Sequence, residues 1–446
     1  MATYNYITQA QFLTQLANRL SDSGELFWSH TEKTLYLQEA LRTFNALTGF
    51  WRGDFIGNTS NGITFYDLTN TTTFPNTLRP ITLRDTDLYG VIQYQLLEPS
   101  IGVNPWTGVS TQFSADDLIN SVQRRRDELL GVSGCTISRR TIGASAGRTL
   151  LLDSVVDVRR LAYLPNSPGV NSVVWPDDTW GEQSYNRSYT TKPAGVPFTY
   201  LLNAQPPLSF DTDRPPAFAG FYELLTVESG PALSASTPSS LLVPDDWAWA
   251  IKWGALSDLL SKDANSRDLP RAAYCETRYK MASALLASAP ALLAARIANV
   301  PLQIDAIRNA DLFRTTWQAL AHARPDTLLT CGLNLVAAAP IPDAGPYSLT
   351  LTVVQNAPIP ANDGDNVQVA REHLDSLLDY CVHLALFKCG GLEFQMTTPL
   401  LERFIKDCAQ YNSMLAEWGN FSKIMQEVSQ QEEMMNPRAV PQTQGA

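Results

Sequence analysis

Histidine is scarce in this chain: His30, His322, His373 and His383 are the only four in 446 residues. Any imidazole base must be one of them. Charge is sparse as well, at 17% Asp, Glu, Lys and Arg, which leaves much of the surface neutral and open to contact with other subunits. What charge there is leans acidic. Thirty-three basic against 44 acidic residues give a net −11, which opposes binding to a nucleic-acid backbone, where Lys and Arg must displace counterions. The six cysteines contain no C-x-x-C pair, so they are expected to be reduced thiols in a cytosolic product. No apolar run is long enough for a membrane. The best window, Met281 to Val300, is broken by Pro290 and Arg296, and the first residues carry no basic or apolar leader, so no signal peptide is expected. There is no Walker loop, no G-x-G-x-x-G after a strand and no H-E-x-x-H, so no cofactor, metal or enzymatic role is expected.

The hydrophobic fraction of 44% belongs to a folded protein, and the length implies more than one domain. A repeated pattern gives the organisation. A β-run, Tyr222 to Pro231, precedes helical stretches Trp247–Lys262 and Arg271–Leu286. A second β-run, Tyr347 to Pro358, precedes Val367–Lys388 and Leu400–Leu415. Thr226 corresponds to Thr352 and Lys262 to Lys388, both at an offset of 126, while Tyr279 and Tyr411 differ by 132. Two copies are too few for a solenoid. The expected fold is α+β: helical-bundle modules with β-hairpin insertions and a duplicated helix-loop-helix unit. Its divisions are 1–112 (N-terminal helices plus a hairpin), 113–300 (first repeat), 301–425 (second repeat) and 426–446 (a flexible tail).

Local signals fill in the elements. Thr8 with Gln11 and Ser29 with Glu32 are capping boxes, the second opening a helix that Gly49 ends. Asn61-Gly62 between apolar runs predicts a hairpin. Ser114 caps a helix closed at Gly131, and two strands are predicted around the Gly-rich turn near 143–147. Residues 301–325 are expected to connect the repeats through a helix over Leu312–Ala321.

Several patterns suggest chemistry but have plainer explanations. Gly143-Ala-Ser145-Ala-Gly147 fits G-x-S-x-G, yet a β-type run follows where a nucleophile elbow needs a helix. His373 and His383 lie on one predicted helix. With Glu372 and Asp379 they could hold a metal only across two chains, and satisfied interhelical histidines are the simpler expectation. Asp363-Gly-Asp365 lacks most of a calcium loop and is expected to cap the helix after it. Arg124-Arg125-Arg126, amid Asp116, Asp117, Asp127 and Glu128, is expected to be a solvated mixed-sign face.

Three segments then appear in a distinctive order: Val155-Val-Asp-Val-Arg-Arg-Leu-Ala-Tyr163, Thr191-Lys-Pro-Ala-Gly-Val-Pro-Phe-Thr-Tyr200, and Val243-Pro-Asp-Asp-Trp-Ala-Trp-Ala-Ile-Lys-Trp-Gly-Ala-Leu256. Asp258 to Asp263 and Arg271 to Tyr279 follow. This order resembles the tailed-bacteriophage adaptor, or head-to-tail connector, proteins, as does the helix of Ser29 to Gly49. The resemblance covers roughly the first two thirds, and the segment Arg324 to Trp418 looks like an added copy of the terminal module. It implies a virion structural protein of the neck, made in the bacterial cytoplasm. Such a protein forms a ring of about twelve copies that joins the portal protein to tail or nozzle proteins, while genomic DNA passes through without sequence-specific binding. In that family the C-terminal segment commonly enters the portal, which would make Met434, Met435, Pro437, Arg438 and Val440 partner-binding residues. The alternatives are a more distal stopper, nozzle or tail-hub component and, from another class, a serine hydrolase using Ser145.

Overall fold

The structure is a computed structural model that describes residues 5–411 apart from 70–78, 98–112, 167–171, 186–190, 204–207, 235–236, 263–266, 315–316 and 344–345. The expected tail residues Met434, Met435, Pro437, Arg438 and Val440 lie outside the described residues. The fold is α+β. Helix α1 (Gln9–Arg19) starts at Thr8, whose capping box with Gln11 forms as predicted. Helix α2 (His30–Thr48) is capped by the Ser29 hydroxyl and closed by Gly49 in the left-handed conformation. Strands β1 (Arg52–Asn58) and β2 (Phe65–Asp67) follow, then α3 (Asp85–Leu96) and α4 (Ala115–Ser133). Ser114 caps α4, and its closing glycine is Gly134 at φ 57°, three residues past the predicted stop. Both α2 and α4 are 19 residues long, and their caps stand 85 residues apart at each end (29 to 114, 49 to 134).

The middle of the chain is a seven-stranded sheet. Its strands are β3 (Ser138–Gly143), β4 (Thr149–Leu150), β5 (Val155–Pro165), β6 (Ser172–Asp177), β7 (Thr199–Asn203), β8 (Ser209–Thr212) and β9 (Gly220–Glu228), with the short α5 (Thr179–Tyr185) after β6. Its order is β3-β9-β5-β6-β7-β8-β4. Strand β9 then leads to the helix pair α6 (Ala248–Ser261) and α7 (Leu269–Ser288).

Two four-stranded sheets and a second helix pair complete the molecule. In order come β10 (Ala294–Ile297), β11 (Val300–Pro301), β12 (Gln303–Ala306), α8 (Ile307–Phe313), β13 (Thr327–Cys331), β14 (Leu335–Ala339) and β15 (Ser348–Val354). Helices α9 (Arg371–Leu386), α10 (Gly391–Gln395) and α11 (Thr398–Tyr411) end the described chain. The sheets run β1-β15-β10-β11 and β12-β13-β14-β2. Among the described residues no helix is long and apolar enough to cross a membrane.

Pairing corrects the local reading. Asn61-Gly62 is a turn, with Gly62 at φ 71°, but β1 and β2 do not pair with each other. Strand β1 joins β15, 290 to 302 residues away, and β2 joins β14, 268 to 272 residues away. Likewise β3 and β5 flank β9 instead of forming a hairpin around the Gly-rich turn. The connector helix lies over Ile307–Phe313, earlier than predicted, because Gln303–Ala306 pairs with β13 and delivers the chain directly into it.

One apolar core runs from Phe12 to Cys408 and includes Trp253, Trp317, Phe44 and Tyr380. A smaller one, with Tyr163, Phe210 and Tyr222, lies in the seven-stranded sheet. Helix α2 packs on α9, α11 and α1, and α4 packs on α6 and α7. At the start of α6, the Asp245 carboxylate accepts the N–H groups of Thr82 and Leu83, while Asp246 accepts Asn45 Nδ2 and the Ala357 N–H. Two adjacent carboxylates thus hold three segments that are distant in sequence.

Candidate functional site

The residues that sequence reasoning singled out are dispersed. Ser145 lies exposed in the turn between β3 and β4, with a strand after it and no helix. His383 is buried between the Tyr274 hydroxyl at 2.6 Å and Thr397 Oγ1 at 2.7 Å, and burial pushes it down to about 3, so it is neutral. His373 Nδ1 meets Asp407 of α11 at 3.0 Å. Both are therefore interhelical histidines, and among the described residues no three His, Cys, Asp or Glu side chains could hold a metal.

Two expectations are overturned. Asp363-Gly-Asp365 does not cap the helix after it. Its backbone carbonyls receive the N–H groups of Gln9 and Ala10, and Asp363 Oδ1 accepts Gln9 Nε2, so it caps α1 from the far end of the chain. Arg125 and Arg126 are not solvated. Arg125, 7% exposed, is held by Asp258 and Glu276 as well as Glu128 of its own helix, and Arg126, fully buried, donates to the Pro231 carbonyl. Three carboxylates from three helices offset the cost of desolvating the Arg125 guanidinium.

The polar feature that sequence reasoning missed is a seam of buried charge along α2. Glu39 takes both carboxylate oxygens to Lys252 Nζ, at 2.7 and 2.6 Å. Glu32, seven residues earlier on the same face, receives Lys388 Nζ at 2.9 Å and the Tyr36 hydroxyl at 2.5 Å. All four ion-pair residues are 7% exposed or less. Burial raises the Glu32 carboxyl against the opposing pull of Tyr36 and Lys388, and burial lowers Lys252 against Glu39. Beside them Arg278 is 3% exposed, donates to the Tyr380 hydroxyl at 2.6 Å, and lies over the faces of Trp249, Trp253 and Tyr380. A signal existed: Lys252 and Lys388 interrupt otherwise apolar helical stretches, where an unpaired lysine would cost several kcal/mol. The seam locks α6 and the end of α9 onto α2. Shielded from solvent, it is built to hold helices in register.

Several clefts open on the surface of the described residues, two of them beside the helices α4, α6 and α7. One of about 610 Å³ runs between β5–β6 of the seven-stranded sheet and the ends of α4 and α7. The other, of about 430 Å³, lies between α2, α3 and α6, with Arg42 and Asp87 on its walls and Trp249 and Lys252 at one side. Neither brings a nucleophile together with a histidine. No family model matches this chain, and no curated protein gives a significant match to it.

Proposed function

We propose that this chain is a structural protein of the phage neck, forming an oligomeric ring that joins the portal to the tail and surrounds the DNA exit path. The observation that carries this reading is the ordered set of segments Val155–Tyr163, Thr191–Tyr200, Val243–Leu256 and Arg271–Tyr279, which resembles the adaptor proteins. In the fold these residues contribute β5, the approach to β7, and helices α6 and α7. The net charge of −11 suits such a role, since an acidic wall repels phosphates and lets DNA pass without adhering.

The helical modules are best accounted for as two copies of one unit, one nested in the other. The inner copy is α4, β3, β9, α6 and α7; the outer is α2, β1, β15, α9 and α11. Three relations support this. The flanking helices share length and caps at an offset of 85. Each is followed by a strand antiparallel to the strand that leads into a helix pair. The registers also correspond: Asp54 faces Thr352 and Ser138 faces Thr226, so the paired residues are displaced by 84 and 126.

A more distal stopper, nozzle or tail-hub part is the second reading, favoured by the 446-residue length and the additional copy. Sedimentation of the chain with the portal ring of the same genome distinguishes them. Comigration is the adaptor result, and exclusion from the portal moves the protein further down the tail. Deleting Met434 to Ala446 should leave the thermal midpoint unchanged and weaken portal binding; undiminished binding would remove those residues from the interface.

A further inference from the structure

Two exposed apolar patches stand on different parts of the molecule, and each is held rigidly. The first is the loop before α2 together with α10. Leu26 is 93% exposed and Phe27 49%, and α10, which follows the Lys388 that holds Phe27, exposes Leu392 at 77% and Met396 at 78%. Such exposure on an ordinary loop would mean little, but this loop is fixed. The Asp22 carboxylate accepts the N–H groups of Leu26, Phe27 and Trp28 at 2.8–3.0 Å, and Glu25 is held at φ 54°. Lys388 Nζ donates to the Phe27 carbonyl and lies 4.1 Å from the centre of its ring. On α10, Phe394 turns inward and the neighbouring Leu392 and Met396 turn out. The rim is acidic on balance: Glu25 pairs with the buried Lys33 at 2.9 Å, while Asp22 and the exposed Glu393 make no ion pair among the described residues.

The second patch is on α8 and the segment 317–320. Leu312 is 50% exposed, Phe313 84% and Leu320 44%. It too is anchored from behind: Asp311, 3% exposed, binds Arg160 at 2.6 Å and Trp317 Nε1 at 2.8 Å. Its rim is basic. Arg308 and Arg314 are exposed, and their guanidinium groups make no hydrogen bond or ion pair among the described residues.

We propose that these patches are the two halves of one interface between copies of this chain, the Leu26–Phe27 face of one copy seated on the Leu312–Phe313 face of the next. Each patch matches the other in apolar character and opposes it in rim charge, and preorganised apolar anchors with complementary rims are what specific contacts use. Both patches are exposed within a single copy, so a contact that covers them forms between molecules. A contact between two different surfaces is heterologous and closes into a ring when its rotation allows. The proposal rests on the ring reading above and specifies how the ring is made.

The test is complementation between two surface variants, Leu26→Asp and Phe313→Asp, read by native mass spectrometry of the full-length chain. Both sites are exposed, so the thermal midpoint of each variant should equal that of the wild type. Each variant alone should lose about 30-fold or more in self-association, because a carboxylate replaces an anchor. An equimolar mixture should form a heterodimer and nothing larger, since one intact pair of faces remains. Wild-type rings that persist in both variants would overturn this interface and leave the ring standing. A wild-type chain that is monomeric at every concentration, and on the portal as well, would overturn both.

Discussion

The helix pairs α6–α7 and α9–α11 occupy corresponding places in the chain and are packed in opposite ways. In the inner pair, α6 carries Gly254 against Arg125 and Tyr279, and α7 carries the small Ala272, whose carbonyl accepts the Ser257 hydroxyl. A Cβ added at Gly254 would lie 2.8 Å from Arg125 Cγ and 2.9 Å from Tyr279 Cδ2, so α4 and α7 approach as closely as side chains permit. At the corresponding positions of the outer pair, displaced by 126 and 132, stand Tyr380 and Phe404. Their rings stack at 4.3 Å with an interplanar angle of 6°. The far side of the second helix differs too. Tyr274 and Arg278 of α7 bind His383 and Tyr380 of α9, whereas their counterparts Lys406 and Gln410 on α11 are exposed. Among the described residues the inner pair is covered on both sides and the outer pair on one. The same arrangement of strand and helices therefore serves as an interior wedge once and as a surface once, and side-chain size and polarity decide which.

The most severe way to break this comparison is to remove the charge that joins the inner pair to α2. Glu39→Ala leaves Lys252 buried without a partner and should cost about 3–5 kcal/mol in urea unfolding. The double variant Glu39→Leu with Lys252→Met should recover most of that. A single variant as stable as the wild type would show that the seam is solvated. Next, Tyr274→Ala should cost about 3 kcal/mol through cavity formation and a lost partner for His383. Gly254→Ala should cost about 1–3 kcal/mol by overpacking against Arg125 and Tyr279. If it is neutral, the inner crossing is looser than these distances indicate.

A smaller effect is expected from pH. Burial raises Asp246 from 3.8 to about 7, against the pull of Asn45, the Ala357 N–H and Arg42. The folded state then binds a proton that the unfolded state has released. Stability from this group is complete below about pH 4 and is lost as pH rises through 7. Thermal midpoints between pH 5 and 8 should fall, and Asp246→Asn should flatten that slope; a slope unchanged in the variant would assign it to another group. Smallest of all, Lys406→Ala should change stability by less than about 0.5 kcal/mol, because its face of α11 meets solvent. A cost like that of Tyr274→Ala would mean that α11 has a partner on that face.

Legibility followed range. Caps at Thr8 and Ser114 formed as the sequence predicted, because a cap is settled within four residues, whereas at Ser29 only the hydroxyl half of the predicted box forms, since Glu32 turns to Lys388 and Tyr36. The helical stretch expected over Trp247–Lys262 also forms, as α6 over Ala248–Ser261, with Trp249, Trp253, Leu256 and Leu260 buried at helical spacing. Partners across the chain were not legible. Asn61-Gly62 makes its turn, but which strands pair depends on segments near 335 and 350 that supply the complementary edges. Asp363 and Asp365 cap a helix, though not the adjacent one, and the arginines of α4 look solvated until Asp258 and Glu276 arrive from α6 and α7. The proposed nested copy was half visible. Its helix pairs share a sequence pattern, whereas α2 and α4 share length, caps and a following strand more than they share residues.

The most direct test of the account is electron microscopy of the full-length chain mixed with the portal ring from the same genome. A second ring stacked on the portal, with the same rotational symmetry, is the predicted result. Bare portals beside free monomers would contradict it.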